Sequence, residues 1–147
     1  MRHNHPLAPA SSDPRRVALG PASFLPRQGF VVVPVLPGFK LADGTVARSA
    51  LVGRSGGRLL AFANVCRHLA IPLDLGDGEV MDDERQQIVC HHHGAIFDPV
   101  TGECVVGPCY REFLWRWEVE IDALGDATLV ITPAPPAPPA PSAPAAP

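Results

Sequence analysis

Cys90-His91-His92-His93-Gly94-Ala95-Ile96-Phe97 packs one thiol and three imidazoles into four residues, and Cys66-Arg67-His68 upstream adds one of each. Read together, the two stretches spell C-x-H, a gap of 21 residues (69 to 89), and C-x-x-H. Two thiolates and two imidazoles converging on one metal site select zinc or iron–sulfur over magnesium or calcium, because soft sulfur donors favour softer metals. Spacing alone leaves His92 open beside His93, although C-x-x-H points to His93.

Working outward, both stretches leave the ends of strands. Arg58 to Ala63 reads as a strand and runs through Asn64-Val65 into Cys66. Gln86 to Cys90 reads as a short strand that delivers the second loop. Val46 to Arg54 is the partner of the first, joined to it by the hairpin signal Ser55-Gly56-Gly57. The β-branched run Gly29 to Val35 is expected to be the first strand, and Pro34 confines it to an edge or a strand end. Phe113 to Ile121 alternates Phe113, Trp115, Trp117, Val119 and Ile121 with Leu114, Arg116, Glu118 and Glu120, so the odd positions are expected to face the core. Thr128 to Ile131 closes a hairpin with it. No amphipathic helix of useful length is present, and the reading is all-β. Two ligand loops at hairpin tips bring half-motifs distant in sequence to one point.

Composition separates tails from core. Of 18 prolines in 147 residues, five fall in 1–28, five in 29–132 and eight in 133–147. The expected organisation is a flexible lead over 1–28, one domain over 29–132 and a disordered proline–alanine tail over 133–147. Residues 29–132 carry eight Lys or Arg against fourteen Asp or Glu, a net of −6, whereas residues 1–28 carry +3. An acidic core argues against nucleic acid as the partner and suits docking on a basic protein surface. The chain begins without an apolar run of roughly 7–15 residues and holds no apolar stretch near about 18 residues, so a cytoplasmic location without membrane contact is expected. Cys104 and Cys109 are expected to be packed thiols rather than a disulfide.

The half-motifs resemble those of Rieske-type 2Fe–2S proteins: C-x-H in Cys66 and His68, and C-x-x-H-G in Cys90, His93 and Gly94. The likeness continues through Ala95, Phe97, Asp98, the Thr101-Gly102-Glu103 turn and Gly107-Pro108, and covers roughly residues 29 to 132. The gap between half-motifs is longer than is usual in the family and holds the acidic run Asp82-Asp83-Glu84, read here as a loop insertion. The resemblance implies an antiparallel Rieske-like sandwich with a small cluster-binding subdomain of two ligand loops. It also implies a 2Fe–2S cofactor, with Cys66 and Cys90 on one iron and His68 and His93 on the other. Cytochrome-complex members tie their ligand loops with a disulfide. The matching positions here are Ile71 and His92, so that bridge cannot form.

The function implied is one-electron transfer by a monomeric, ferredoxin-like carrier, from a reductase donor to an acceptor such as an oxygenase. A catalytic oxygenase subunit needs a second iron site, commonly two His and a carboxylate. The six histidines are all accounted for: His3 and His5 in the lead, and His68, His91, His92 and His93 in the motif loops. Two other readings stand beside this one. The chain resembles the small Rieske-like subunits of nitrite reductases. Cys2His2 is also a structural zinc set, which would make it a zinc-stabilised interaction module. Zinc fingers, however, pair Cys with Cys and His with His, whereas each half-motif here mixes the two.

Overall fold

The computed structural model describes residues 10–133. Residues 134–147 of the tail expected over 133–147, and His3 and His5 in the lead, lie outside the described residues. Among the described residues, the regular structure is ten strands and one short 3-10 turn, Ala22–Phe24. They are β1 (Arg15–Pro21), β2 (Gly29–Lys40), β3 (Val46–Ser55), β4 (Arg58–Ala63), β5 (Met81–Asp82), β6 (Gln87–Val89), β7 (Ile96–Phe97), β8 (Cys104–Val106), β9 (Arg116–Ile121) and β10 (Asp126–Ile131). A six-stranded sheet runs β1-β10-β9-β4-β3-β2, and a four-stranded sheet runs β5-β6-β7-β8. Every strand pair is antiparallel. The fold is all-β, as the alternating and β-branched runs imply.

The hairpin β3–β4 turns on Gly56 and Gly57, whose φ of 59° and 77° suit a tight two-residue connection closed to L side chains. Pro34 sits in β2, an edge strand, where a missing N–H costs no interior ladder bond. The large sheet curls until its edges approach. Lys40 N–H donates to the Ser11 carbonyl at 3.0 Å, and Arg15 donates to the carbonyls of Pro37 and Gly38.

Period-two alternation divides the side chains of β3 and β4 between two cores. Val52 and Ala61 join Val35, Phe39, Leu41, Trp117, Leu129 and Ile131 inside the large sheet. Leu51 and Phe62 face the other way, against Leu73, Ile88, Phe97 and Leu114 of the smaller unit. Each fully buried Leu or Phe contributes on the order of 1.5–3 kcal/mol. The second core also holds Cys66, Cys90, Cys104 and Cys109.

Three expectations need correction. Part of the lead is structured: β1 pairs with β10 from Arg15↔Ile131 to Pro21↔Asp126, and Ala22 and Leu25 are buried. Its weak alternation, Val17 and Leu19 between polar residues and Gly20-Pro21, suffices because β10 supplies a complete edge to pair with. The strand read over 113–121 begins at Arg116. Leu114, expected outward, is fully buried in the second core, and Leu114 N–H donates to the Gly102 carbonyl at 2.9 Å. Ile121, at the end of β9, is 52% exposed, whereas Trp115 and Trp117 are buried as expected. Finally, the acidic insertion includes a short hairpin, β5–β6, whose turn is held by Asp82 Oδ1 accepting from the N–H groups of Glu84 and Arg85.

Candidate metal centre

Two loops from opposite sides of the second core carry the motif residues. The first leaves β4 and folds back at once: Cys66 N–H donates to the Ile71 carbonyl at 2.7 Å, and Ile71 N–H to that of Leu69 at 2.7 Å. The second joins β6 to β7. It closes through Cys90 N–H on the Ala95 carbonyl and Gly94 N–H on the Cys90 carbonyl, both at 2.8 Å. Gly94, at φ 77°, makes that turn. The loops are fastened together by His91 N–H donating to the Leu73 carbonyl at 2.9 Å. The His92 ring adds a second tie, its Nε2 lying 3.2 Å from the Asp74 carbonyl oxygen. His92 is therefore engaged with the first loop.

The four motif residues come together as two pairs. Cys66 and Cys90 are buried, 2% and 0% exposed, and lie close enough for each to shift the other's pKa. His68 and His93 are exposed, with ring centroids 5.0 Å apart and planes at 89°. Among the described residues no three His, Cys, Asp or Glu side chains gather round one point. A tetrahedral zinc ion needs four donors about a single centre. A buried thiol pair beside an exposed imidazole pair offers each of two metal ions its own pair of donors.

The electrostatics of the thiols follow from their surroundings. The hydrogen bond with Cys90 pulls Cys66 down to about 6; burial opposes, while the N–H groups of His68 and Leu69 and the charge of His68 assist. Cys90 is pushed up by that same bond and by burial, with the N–H groups of His92 and His93 opposing. For each sulfur, the N–H groups two and three residues further on favour the thiolate. A metal bound there would be held by both sulfurs as thiolates, with backbone N–H groups beside them to stabilise the charge. The donor set therefore fits a cluster bound through sulfur on its buried side and imidazole on its exposed side.

A third loop, between β8 and β9, covers the pair. Gly107 packs so tightly against the second loop that a Cβ there would meet Ala95 Cα at 2.9 Å. The site also rests on residues that the motif does not name. Asn64 donates to Asp74 Oδ1 (2.9 Å) and Ser49 Oγ (3.0 Å), and accepts from Leu73 N–H (2.8 Å). Asp74 Oδ2 accepts from the N–H groups of Gly76 and Gly78, both at 3.1 Å. Burial raises the Asp74 carboxyl, but Asn64 and these N–H groups outweigh it and hold it below the ordinary 3.8. Arg67, between Cys66 and His68, lays its guanidinium 5.3 Å from the Trp115 ring centre and 3.7 Å from Glu112. No sequence pattern flags Asn64 and Asp74, since only the return of the chain brings them together.

The Rieske [2Fe-2S] domain family model matches residues 35–130. No curated protein matches the chain by sequence. Among solved structures, the ferredoxin of carbazole 1,9a-dioxygenase from Nocardioides aromaticivorans IC177 is 25% identical, with 79% of this chain and 98% of that one covered and a TM-score of 0.52. The terminal oxygenase of carbazole 1,9a-dioxygenase from Novosphingobium sp. KA1 shares the fold at 18% identity and a TM-score of 0.59. That match covers 84% of this chain and 31% of the oxygenase. A complex of reduced oxygenase and oxidized ferredoxin in carbazole 1,9a-dioxygenase matches at 24% identity and a TM-score of 0.54, over 77% of this chain and 99% of that one.

Proposed function

The chain belongs to the Rieske [2Fe-2S] domain family, whose cofactor is a 2Fe–2S cluster, and on that premise we propose that it is a one-electron carrier. In this reading a reductase is the donor and an oxygenase the acceptor. The observation that carries it is the division of the site into a buried thiol pair and an exposed imidazole pair. Cys66 and Cys90 hold one iron, and His68 and His93 the other. When bound, the cluster supplies a single reversible electron, at a potential that neutral imidazole raises above that of all-Cys clusters.

The protein supplies the rest. N–H groups of His68, Leu69, His92 and His93 face the two sulfurs and stabilise negative charge there. Leu73, Phe97 and Leu114 exclude water from the sulfur side. His68 and His93 face outward, and the surrounding loops expose Leu69, Leu75, Val106 and Tyr110, an apolar rim for a transient partner. The ferredoxin of carbazole 1,9a-dioxygenase is similar over nearly its whole length, which supports an oxygenase as the acceptor. Among the described residues no helix is long and apolar enough to cross a membrane.

Metal and sulfide analysis of anaerobically purified protein, paired with a reductive titration, tests this reading. The expected result is about two irons, two sulfides and one electron per chain, as the cluster formula requires. Cys66→Ala and Cys90→Ala should each abolish the visible absorbance. Stoichiometric zinc in protein from iron-replete cells would refute the reading.

A further inference from the structure

Cys104 and Cys109 play no part in the proposed metal site, yet the fold brings them together. Cys109 Sγ donates to Cys104 Sγ at 3.0 Å, and Cys104 Sγ donates to the Val106 carbonyl at 3.2 Å. A disulfide bond measures about 2 Å, so closing this gap takes a movement of about 1 Å. Both thiols are buried, 0% and 1% exposed, beneath the turn from Val106 to Arg111. Burial pushes Cys109 up, and so do the hydrogen bond to Cys104 and the charges of Cys104, Cys66 and Glu112. The closed turn therefore keeps this thiol protonated and unreactive.

The turn has the features of a segment that opens. Val106, Gly107, Pro108, Tyr110 and Arg111 are exposed. Arg111 takes φ 72°, a left-handed conformation unfavourable for a side chain of its size. Hydrogen bonds from Tyr110 to Gly107 (3.2 Å), Arg111 to Cys104 (2.8 Å) and Glu112 to Cys109 (2.9 Å) hold it. Local opening of so short a turn uncovers Cys109 without unfolding the sheets.

We propose that Cys104 and Cys109 form a second, two-electron redox site, a dithiol that closes to a disulfide by exchange with a low-molecular-weight disulfide. One thiol, as thiolate, attacks the small disulfide, forming a mixed disulfide and releasing one small thiol. The second cysteine attacks the mixed disulfide and releases the other. Overall two protein S–H bonds and one small-molecule S–S bond are lost, and one protein S–S bond and two small-molecule S–H bonds form. The new bond ties β8 to the turn and holds Gly107 against Ala95, two residues beyond His93. Oxidation thereby locks the third loop over the metal site and slows release of the cluster, a consequence that rests on the proposed function; the disulfide itself does not.

The probe is oxidised glutathione, added to the cluster-loaded chain, followed by alkylation and cleavage between Val105 and Gly107. The halves carrying Cys104 and Cys109 should remain joined until a reductant is added. A glutathione adduct left on either cysteine, a bond from Cys109 to Cys66, or free halves would overturn the pairing. The rate at which an iron chelator bleaches the visible absorbance should fall several-fold after oxidation in wild type. The same treatment should leave the double variant Cys104→Ala, Cys109→Ala unchanged. Equal rates in oxidised and reduced wild type, with the crosslink formed, would overturn the lock.

Discussion

Asp74 is the residue on which the first loop hangs: its side chain accepts from Asn64, Gly76 and Gly78, and its carbonyl meets His92. Because its folded carboxyl lies below 3.8, its contribution to stability is complete above that pH and is lost as pH falls through the folded value. Asp74→Asn should cost about 1–3 kcal/mol at neutral pH and flatten the acid limb of the stability profile below 3.8. Urea melts at neutral pH and at acid pH measure both effects. A second residue-scale prediction concerns Ala95 and Phe97, both fully buried against the thiols. Neither offers a hydroxyl to hydrogen-bond cluster or ligand sulfur and stabilise the added electron. The midpoint potential should therefore lie near the low end of the Rieske range, on the order of −150 mV. Ala95→Ser and Phe97→Tyr should each raise it in voltammetry of cluster-loaded protein. The candidate ligands could be read from sequence because bonding donors are spelled by residue type and spacing. The ties of Asn64 to Asp74 and of Cys104 to Cys109 are made by chain reversals, which local pattern does not encode.

At the scale of the element, β1 shows where sequence reasoning reaches its limit. Strands with strong alternation or β-branched runs, such as β3, β4 and most of β9, were legible from sequence. The hairpin at Gly56-Gly57 was legible because only glycine tolerates both positive φ values cheaply. β1 carries Val17, Ala18 and Leu19 as its apolar residues, and its partner β10 lies over a hundred residues away. Its contribution is nonetheless structural, since Val17, Leu19, Ala22 and Leu25 pack on the main core. Deleting residues 1–26 should lower the unfolding free energy by several kcal/mol, with burial of Leu25 alone worth about 1.5–3 kcal/mol. Iron content of the fraction that stays folded should remain near wild type, since the second core has no residue from this segment. A truncated chain with wild-type thermal stability would show that β1 is dispensable.

Across the whole molecule, charge sets how a partner approaches. Residues 29–132 carry a net of −6, which favours encounter with a basic partner face. The apolar rim then governs the fit at close range. Leu69→Asp or Tyr110→Asp should raise the KM for an acceptor oxygenase while leaving the midpoint potential unchanged, because both side chains are exposed and outside the second core. Rising ionic strength should slow delivery in wild type, as screening weakens the long-range attraction. Delivery across this rim requires that the electron reside beside the exposed imidazoles. Pulsed electron paramagnetic resonance of the one-electron-reduced protein tests that placement most directly. Two strongly coupled nitrogens, one of them lost in His68→Cys and one in His93→Cys, are expected for wild type and its variants. A reduced-cluster signal without strong nitrogen coupling, or unchanged coupling in either variant, would contradict the account.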